Sequence, residues 1–311
     1  MVGKEVITKL KELYGDEIWL AFCPYKASMF DCMESVFVAA EEDGLVADII
    51  PLDYQTLPDG EWHNESTFFR GKTPHVCTLE DLITGQYDVI IIHYPYDGRN
   101  NVTKLRQDCW VESLKQYGKV CYIPYHGNIA EEKWSRFYTM PGAAESDAIV
   151  LGSDFDVQMF KKENPYYAGE IIQVSDSPKT DAPLLHENDE LPEKWKDLKQ
   201  PITLIIGTLW TFTHDPVGRI LKHQDIVRKE VEAGHSIIYR PHPLVYHAIC
   251  VMRPEAKELY NDFLDQLRED GVVIDDGPNL HRTLAVAQKI YIDPSSVIKS
   301  IQNHREYEVI E

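Results

Sequence analysis

The sequence predicts an α/β protein built from two Rossmann-like domains that face one another across a cleft. Three observations lead to this. Short, β-branched apolar runs alternate with amphipathic stretches of helical period along most of the chain, the pattern of a largely parallel sheet covered on both faces. The series breaks once, over 175–200, where Pro178, Pro183 and Pro192 stand among acids and lysines, and then begins again. The 311 residues are enough for two domains at roughly 150 residues each.

The first domain is expected over 1–176. Lys4–Tyr14 reads as an amphipathic helix with Val6, Ile7, Leu10 and Leu13 on one face. Glu17–Cys23 is the first strand, and Pro24–Ser28 is the loop after it. A helix from Met29 to Glu42 follows, with Ser28 as N-cap, Asp31 at the third helical position and Gly44 as the stop. Further strands are expected at Ala47–Leu52, Asp88–His93, Lys119–Pro124, Asp147–Leu151 and Glu170–Val174. Helices are expected at Leu79–Gly85, Lys104–Tyr117, Glu131–Thr139 and Asp156–Glu163. Tyr54–His75, polar and rich in turn residues, reads as a long surface excursion with room for a small hairpin.

Residues 177–201 read as the linker, and 202–311 as the second domain. Its strands are Ile202–Gly207, Ser236–Tyr239, Val272–Asp275 and Lys289–Ile292, alternating with helices Asp215–Ala233, Pro254–Glu269 and Asn279–Ala287. Two such halves joined by a linker commonly hold ligands between them.

Composition narrows the function. A net charge of −20 argues against nucleic acid and against anionic membrane surfaces as partners, while leaving room for a local basic pocket. No apolar run reaches the ~18 residues that span a bilayer, and no signal-peptide core opens the chain, so a cytoplasmic protein is expected. The six cysteines (Cys23, Cys32, Cys77, Cys109, Cys121 and Cys250) form no C-x-x-C and read as reduced thiols. Zinc-protease, Walker, dinucleotide and nucleophile-elbow motifs are missing from the sequence, which disfavours those chemistries.

The chemistry-bearing residues fall at strand ends. Tyr239-Arg-Pro-His-Pro-Leu244 places Arg240 and His242 just after a strand, stiffened by Pro241 and Pro243. A fork of donors and an imidazole there suit an anionic ligand; pairing of Arg240 with one of the many carboxylates is the plain alternative. Asp293-Pro-Ser-Ser296 follows the last strand and precedes a helical stretch. Ser295 and Ser296 would therefore offer hydroxyls and backbone N–H groups to an anion, or Ser295 would simply cap the helix. His126 ends another strand, and Gly127 after it permits close backbone approach to a ligand. His126 can serve as a general base or bond a carbonyl as an ordinary loop histidine. Lys26 can neutralise a phosphate or pair with Asp31, and His93 is a further strand-end histidine.

Four stretches give the chain a resemblance to the CDP-glycerol:poly(glycerophosphate) glycerophosphotransferases of teichoic-acid synthesis. They are Phe22–Ser35, Ser177-Pro-Lys-Thr-Asp181, Tyr239–Leu244 with Met252-Arg-Pro254, and Asp293-Pro-Ser-Ser-Val297. The resemblance implies a GT-B-like architecture with an acceptor-side first domain and a nucleotide-donor second domain. It implies transfer of glycerol phosphate from CDP-glycerol to a hydroxyl of a cell-wall or capsule polymer, with release of CMP. His126-Gly127 is similar to the family's Trp-His-Gly element, with Tyr125 and Asn128 in place of the flanking tryptophan and threonine. Its histidine would be the base. Arg240 and His242 resemble the donor-pyrophosphate contacts, and Ser295 and Ser296 the phosphate-binding serine pair. Family members continue well past that pair, whereas 15 residues, Val297–Glu311, remain here. The second domain thus reads as C-terminally shortened: trimmed, completed by a partner chain, or no longer catalytic. Implied partners are a nucleotide-activated polyol donor and a polymer or lipid-linked acceptor. No cofactor beyond the donor is implied, a homo-oligomer is compatible, and recruitment to the inner membrane face would go through a partner. Two other readings stay open: a GT-B nucleotide-sugar glycosyltransferase or epimerase, and a non-catalytic nucleotide-binding remnant.

Overall fold

The computed structural model describes residues 1–58, 60–129, 131–293, 298 and 307–309. The chain divides into two compact units, Met1–Thr56 with Gly60–Leu185, and Leu57–Asp59 with His186–Glu311.

In the first unit the strands are β1 (Trp19–Cys23), β2 (Val46–Ile49), β3 (Tyr54–Thr56), β4 (Trp62–His63), β5 (Val89–Ile92), β6 (Thr103–Leu105), β7 (Lys119–Tyr122), β8 (Ala148–Leu151) and β9 (Glu170–Gln173). Six of them form a sheet in the order β2-β1-β5-β7-β8-β9, every neighbouring pair parallel. β5 reads Val-Ile-Ile-Ile and is buried at each position, as a strand covered on both faces must be. Alternate side chains feed two cores. Leu20, Phe22, Val89, Ile91 and Cys121 pack with Val6, Leu10, Val36 and Phe37 from helices Val2–Tyr14 and Glu34–Glu42. Ala21, Ile90, Ile92, Val120 and Tyr122 pack with Leu82, Leu114, Tyr138 and Phe160 on the other side.

Three expectations change here. The helix expected from Met29 is a 3-10 segment, Ala27–Cys32, and the α-helix starts only at Glu34. Ser28 does not cap it: Lys26 is the N-cap residue of the 3-10 segment and makes no side-chain capping bond, while Glu65 Oε2 takes the Ala27 N–H at 2.6 Å. The stretch 104–117 is no single helix either. Thr103–Leu105 alternates buried and exposed and pairs antiparallel with β3, leaving only 3-10 Gln107–Cys109 and helix Val111–Leu114. With β4 this makes a three-stranded antiparallel sheet, β4-β3-β6, within which the Tyr54–His75 excursion supplies a hairpin.

The second unit contains β10 (Ile202–Gly207), β11 (Ser236–Pro241), β12 (Val273–Ile274), β13 (Lys289–Ile292) and β14 (Glu308–Val309). They form a parallel sheet in the order β12-β11-β10-β13-β14. β14 comes from the charged stretch at the end of the sequence and pairs with Lys289 and Ile290. Helices Leu209–His214 and Val245–Met252, hidden among short loops in the sequence, join the expected Pro216–Glu232, Lys257–Glu269 and Leu280–Val286.

The expected linker is built into both units. Asp181 Oδ1 and Oδ2 accept the N–H groups of Val2 and Gly3, at 3.1 and 2.9 Å, capping the first helix from across the chain. Trp195 is buried beneath β10 with Ile202 and Leu204. Prolines and charges mark this stretch as non-periodic, yet its few anchoring residues fix it.

All six cysteines are free thiols, four of them buried, and burial pushes Cys23, Cys32 and Cys121 up from the ordinary thiol range. Among the described residues no helix is long and apolar enough to cross a membrane, and no group of three or more His, Cys, Asp and Glu is placed to hold a metal.

Candidate active site

Ligands of open parallel sheets collect where strand order reverses, outside the carboxyl ends of the strands. In the first unit that point lies between β1 and β5. The loops there close on each other: the Tyr25 N–H donates to His93 Nε2 at 3.3 Å, and the two rings stack with centroids 5.4 Å apart. Since Nε2 accepts, the neutral ring carries its proton on Nδ1. His93 is fully buried, and burial pushes its imidazole down to about 3, with Lys179 adding to the fall and Asp31 opposing it. A histidine held neutral in this way belongs to the wall of the site.

One strand further along, the β7 loop carries His126 and Gly127. Gly127 has φ +69°, a left-handed conformation that favours glycine. The loop is fastened from three directions. Lys179 Nζ donates to the Tyr125 carbonyl at 3.1 Å and lies 3.4 Å from Asp31 Oδ2, tying the loops after β1, β7 and β9 together. Asn128 Nδ2 donates to Asp176 at 2.6 Å. The Ile129 N–H donates to Asp156 Oδ1 at 2.9 Å, where Asp156 stands in the first turn of a helix capped by Ser153. His126 is 8% exposed and packs against rings of Tyr125, Phe137 and Tyr138, with the Phe137 centroid 5.0 Å away. Lys26 sits apart from this loop. Its ammonium lies 4.8 Å from the Tyr54 ring centroid, and burial lowers its pKa against the pull of Glu65. Asp31, the partner left open for Lys26 by the sequence, is paired with Lys179.

In the second unit the order reverses between β10 and β13, whose ends lead to Gly207-Thr208 and to Asp293. Asp293 is fully buried. It takes hydrogen bonds from Arg219 Nη1 (2.5 Å), Thr211 Oγ1 (2.7 Å) and the Tyr291 hydroxyl (3.0 Å), and His223 Nε2 lies 3.4 Å away. Burial drives this carboxyl upward, but contacts with His223, Thr211 and Arg219 outweigh it and leave the pKa below the ordinary value. His223 moves down, chiefly through burial. Arg219 and His223 are four residues apart on one helix and so share a face, a spacing that the sequence displays.

His242 stands beside this point: its N–H donates to the Gly207 carbonyl at 2.9 Å. Its Nδ1 accepts the Leu244 N–H at 3.1 Å, so a neutral ring carries its proton on Nε2. Arg240 is 6% exposed and engaged. It pairs with Asp275 and donates to the Gly277 carbonyl at 2.8 Å, while Thr283 also bonds Asp275. This is the carboxylate pairing that the sequence left as the alternative. Ser295 and Ser296 lie outside the described residues. Thus His126 and Gly127 belong to one strand-end cluster of the first unit, and His242 and Arg240 to neighbouring positions of the second.

No protein-family model matches the chain, and no curated protein matches it in sequence. Solved structures do resemble it. A protein from Listeria monocytogenes assigned as a UDP-N-acetylglucosamine 2-epimerase aligns at TM-score 0.55 and 11% identity over 93% of this chain and 77% of its own. The UDP-GlcNAc 2-epimerase of Methanocaldococcus jannaschii, solved with UDP-GlcNAc and UDP, aligns at 0.54 and 12% over 91% and 80%. A further UDP-N-acetylglucosamine 2-epimerase aligns at 0.51 and 11% over 90% and 74%. The fold is therefore GT-B-like, a pair of Rossmann-like domains.

Proposed function

We propose that the chain is an enzyme acting on a nucleoside-diphosphate-activated donor, of the nucleotide-sugar glycosyltransferase or epimerase kind. The observation that carries this reading is the second unit's reversal point, where Gly207-Thr208, His242 and Asp293 converge. Crevices of this kind, outside the carboxyl ends of parallel strands, suit a nucleotide. The M. jannaschii protein of the same fold binds UDP-GlcNAc and UDP, which makes a uridine nucleotide the first donor to try.

In this reading His242 Nε2 donates to the diphosphate, and the hydroxyls of Thr208 and Thr211 border it. Asp293 holds the helix that bears Thr211, and its charge is matched internally by Arg219, so it does not repel the phosphates. In the transfer an acceptor hydroxyl gives its proton to a base, the role that the sequence suggests for His126, while its oxygen bonds to the sugar's anomeric carbon; the bond from that carbon to the diphosphate oxygen breaks, and UDP departs.

A second reading, glycerol-phosphate transfer from CDP-glycerol, draws on the Arg-Pro-His-Pro, Asp-Pro-Ser-Ser and His-Gly stretches. There the acceptor oxygen attacks the donor's distal phosphorus, and CMP leaves with the bridging oxygen. Incubation with UDP-N-acetylglucosamine, UDP-glucose and CDP-glycerol, with and without a saccharide acceptor, separates the two. UDP release or epimerised UDP-sugar supports the first reading, and CMP release the second. No nucleotide release from any donor, together with no nucleotide binding, overturns both.

A further inference from the structure

The segment Glu132–Thr139 is a 3-10 helix, and a repeat of three residues per turn sorts its side chains into three rows. Ser135 and Tyr138 are buried. Trp134 and Phe137 are half-exposed, and Lys133 and Arg136 are exposed. The buried row is pinned to the helix Asp154–Glu163: Ser135 Oγ donates to Glu163 at 2.6 Å and the Tyr138 hydroxyl to Asp156 at 2.5 Å. Asp156 is also the residue that accepts the Ile129 N–H, so one carboxylate fixes both this segment and the loop of His126.

The middle row continues from the imidazole. His126 and Phe137 have centroids 5.0 Å apart with 31° between planes, and Phe137 and Trp134 are stacked at 5.9 Å and 14°. Arg136 flanks the same rings, its guanidinium carbon 5.7 Å from the Trp134 centroid and 5.9 Å from that of Phe137. Lys133 is paired with Glu131 and Glu132 with Lys162. Arg136 has no ion pair among the described residues, in a chain of net charge −20.

We propose that this strip, His126–Phe137–Trp134 with Arg136 at its side, is the acceptor subsite and that it takes a phosphorylated sugar. The proposal rests on the reading of His126 as the base that faces an acceptor hydroxyl. Aromatic faces suit the C–H face of a pyranose, and an unpaired guanidinium suits a phosphate held by two parallel hydrogen bonds. A phosphate on Arg136 leaves its sugar over Phe137, next to the imidazole. The rigid backing of Ser135 and Tyr138 means that little ordering accompanies binding.

The test is calorimetric titration of the full chain with glucose 1-phosphate, free glucose, inorganic phosphate and UMP, with hydrogen exchange over 131–139 to localise binding. Saturable binding of glucose 1-phosphate is expected, with protection of 131–139, and tighter than either glucose or phosphate alone. Arg136→Met should weaken glucose 1-phosphate at least tenfold and leave glucose unchanged, Arg136→Lys should recover part of the loss, and Trp134→Ala should weaken both. Arg136 is exposed and Trp134 half-exposed, and an unchanged melting temperature verifies that the variants are folded. Absence of saturable binding, equal affinity in Arg136→Met, or stronger protection of 131–139 by UMP than by glucose 1-phosphate would overturn the proposal. Sugar-phosphate binding here without turnover of any nucleotide donor would defeat the reading of function and leave the subsite standing. Donor turnover indifferent to Arg136→Met would do the reverse.

Discussion

Replacing Arg219 with methionine is the most informative perturbation of the second unit. The substitution keeps much of the aliphatic stem and removes the guanidinium bonded to Asp293, which among the described residues is its one permanent positive charge; Asp293 lies 2.5 Å from Arg219 Nη1 and is fully buried. Thr211 and Tyr291 remain as donors at 2.7 and 3.0 Å, so the carboxylate is bonded but uncompensated. Breaking a buried pair costs about 3–5 kcal/mol. Arg219 is 24% exposed, which lets solvent screen part of the loss, and about 2–3 kcal/mol is the expected destabilisation. Asp293→Asn in the same background removes the orphaned charge, so the double variant should be at least ~1 kcal/mol more stable than Arg219→Met alone. The sign of the pH dependence follows from the depressed Asp293 pKa. Its contribution is present above the unfolded value of about 3.9 and is lost as pH falls through the lower folded value. Two units do not unfold as one two-state system, so the assay is hydrogen exchange of β10 and β13 amides, which reads the opening energy of this sheet. A change below ~0.5 kcal/mol in Arg219→Met, or a double variant no more stable than the single one, would refute the reasoning.

Three further outcomes follow from the same geometry. His126→Ala should lower turnover by about 10²–10⁴-fold while nucleotide affinity stays the same, as measured by initial rates beside a nucleotide titration. Arg240→Met should act through folding, because it orphans Asp275 inside the second unit; about 3–5 kcal/mol is expected, read as faster exchange throughout β11. Asp97, at φ +49° and pushed up to about 6 chiefly by burial, gives a pH test in the first unit. Its raised pKa means that stability is full below the unfolded value near 3.9 and is lost as pH rises through about 6. Asp97→Asn tolerates the left-handed backbone and should therefore raise the first unit's melting temperature at pH 7.5 but not at pH 4.

Periodicity carried most of the fold. Ile202–Gly207 and Lys289–Ile292 have the bounds that their apolar runs predict, because central parallel strands are apolar on both faces. It failed where local order comes from a distant residue. Ser28 looks like a cap, but it lies inside a 3-10 segment whose first N–H, that of Ala27, goes to Glu65, and Asp181 caps a helix 178 residues away. Helix Leu209–His214 leaves no mark in the sequence, since six residues are too short to show a period. At the site, strand-end histidines were legible because chain punctuation marks strand ends. What each side chain bonds was not: Arg240 looks identical in sequence whether it meets a phosphate or Asp275, and only tertiary placement decides. The Lys179–Asp31 tie and the Arg219–Asp293 pair join residues 148 and 74 positions apart, beyond the reach of any local pattern.

Binding of a nucleotide by the second unit at its β10–β13 reversal point is read by hydrogen exchange of the full chain with saturating UDP, and separately CDP. Slower exchange is expected at 207–212 and 242–245 with one of the two nucleotides, and no such protection with phosphate alone. Protection confined to the first unit, or no protection with either nucleotide, would contradict it.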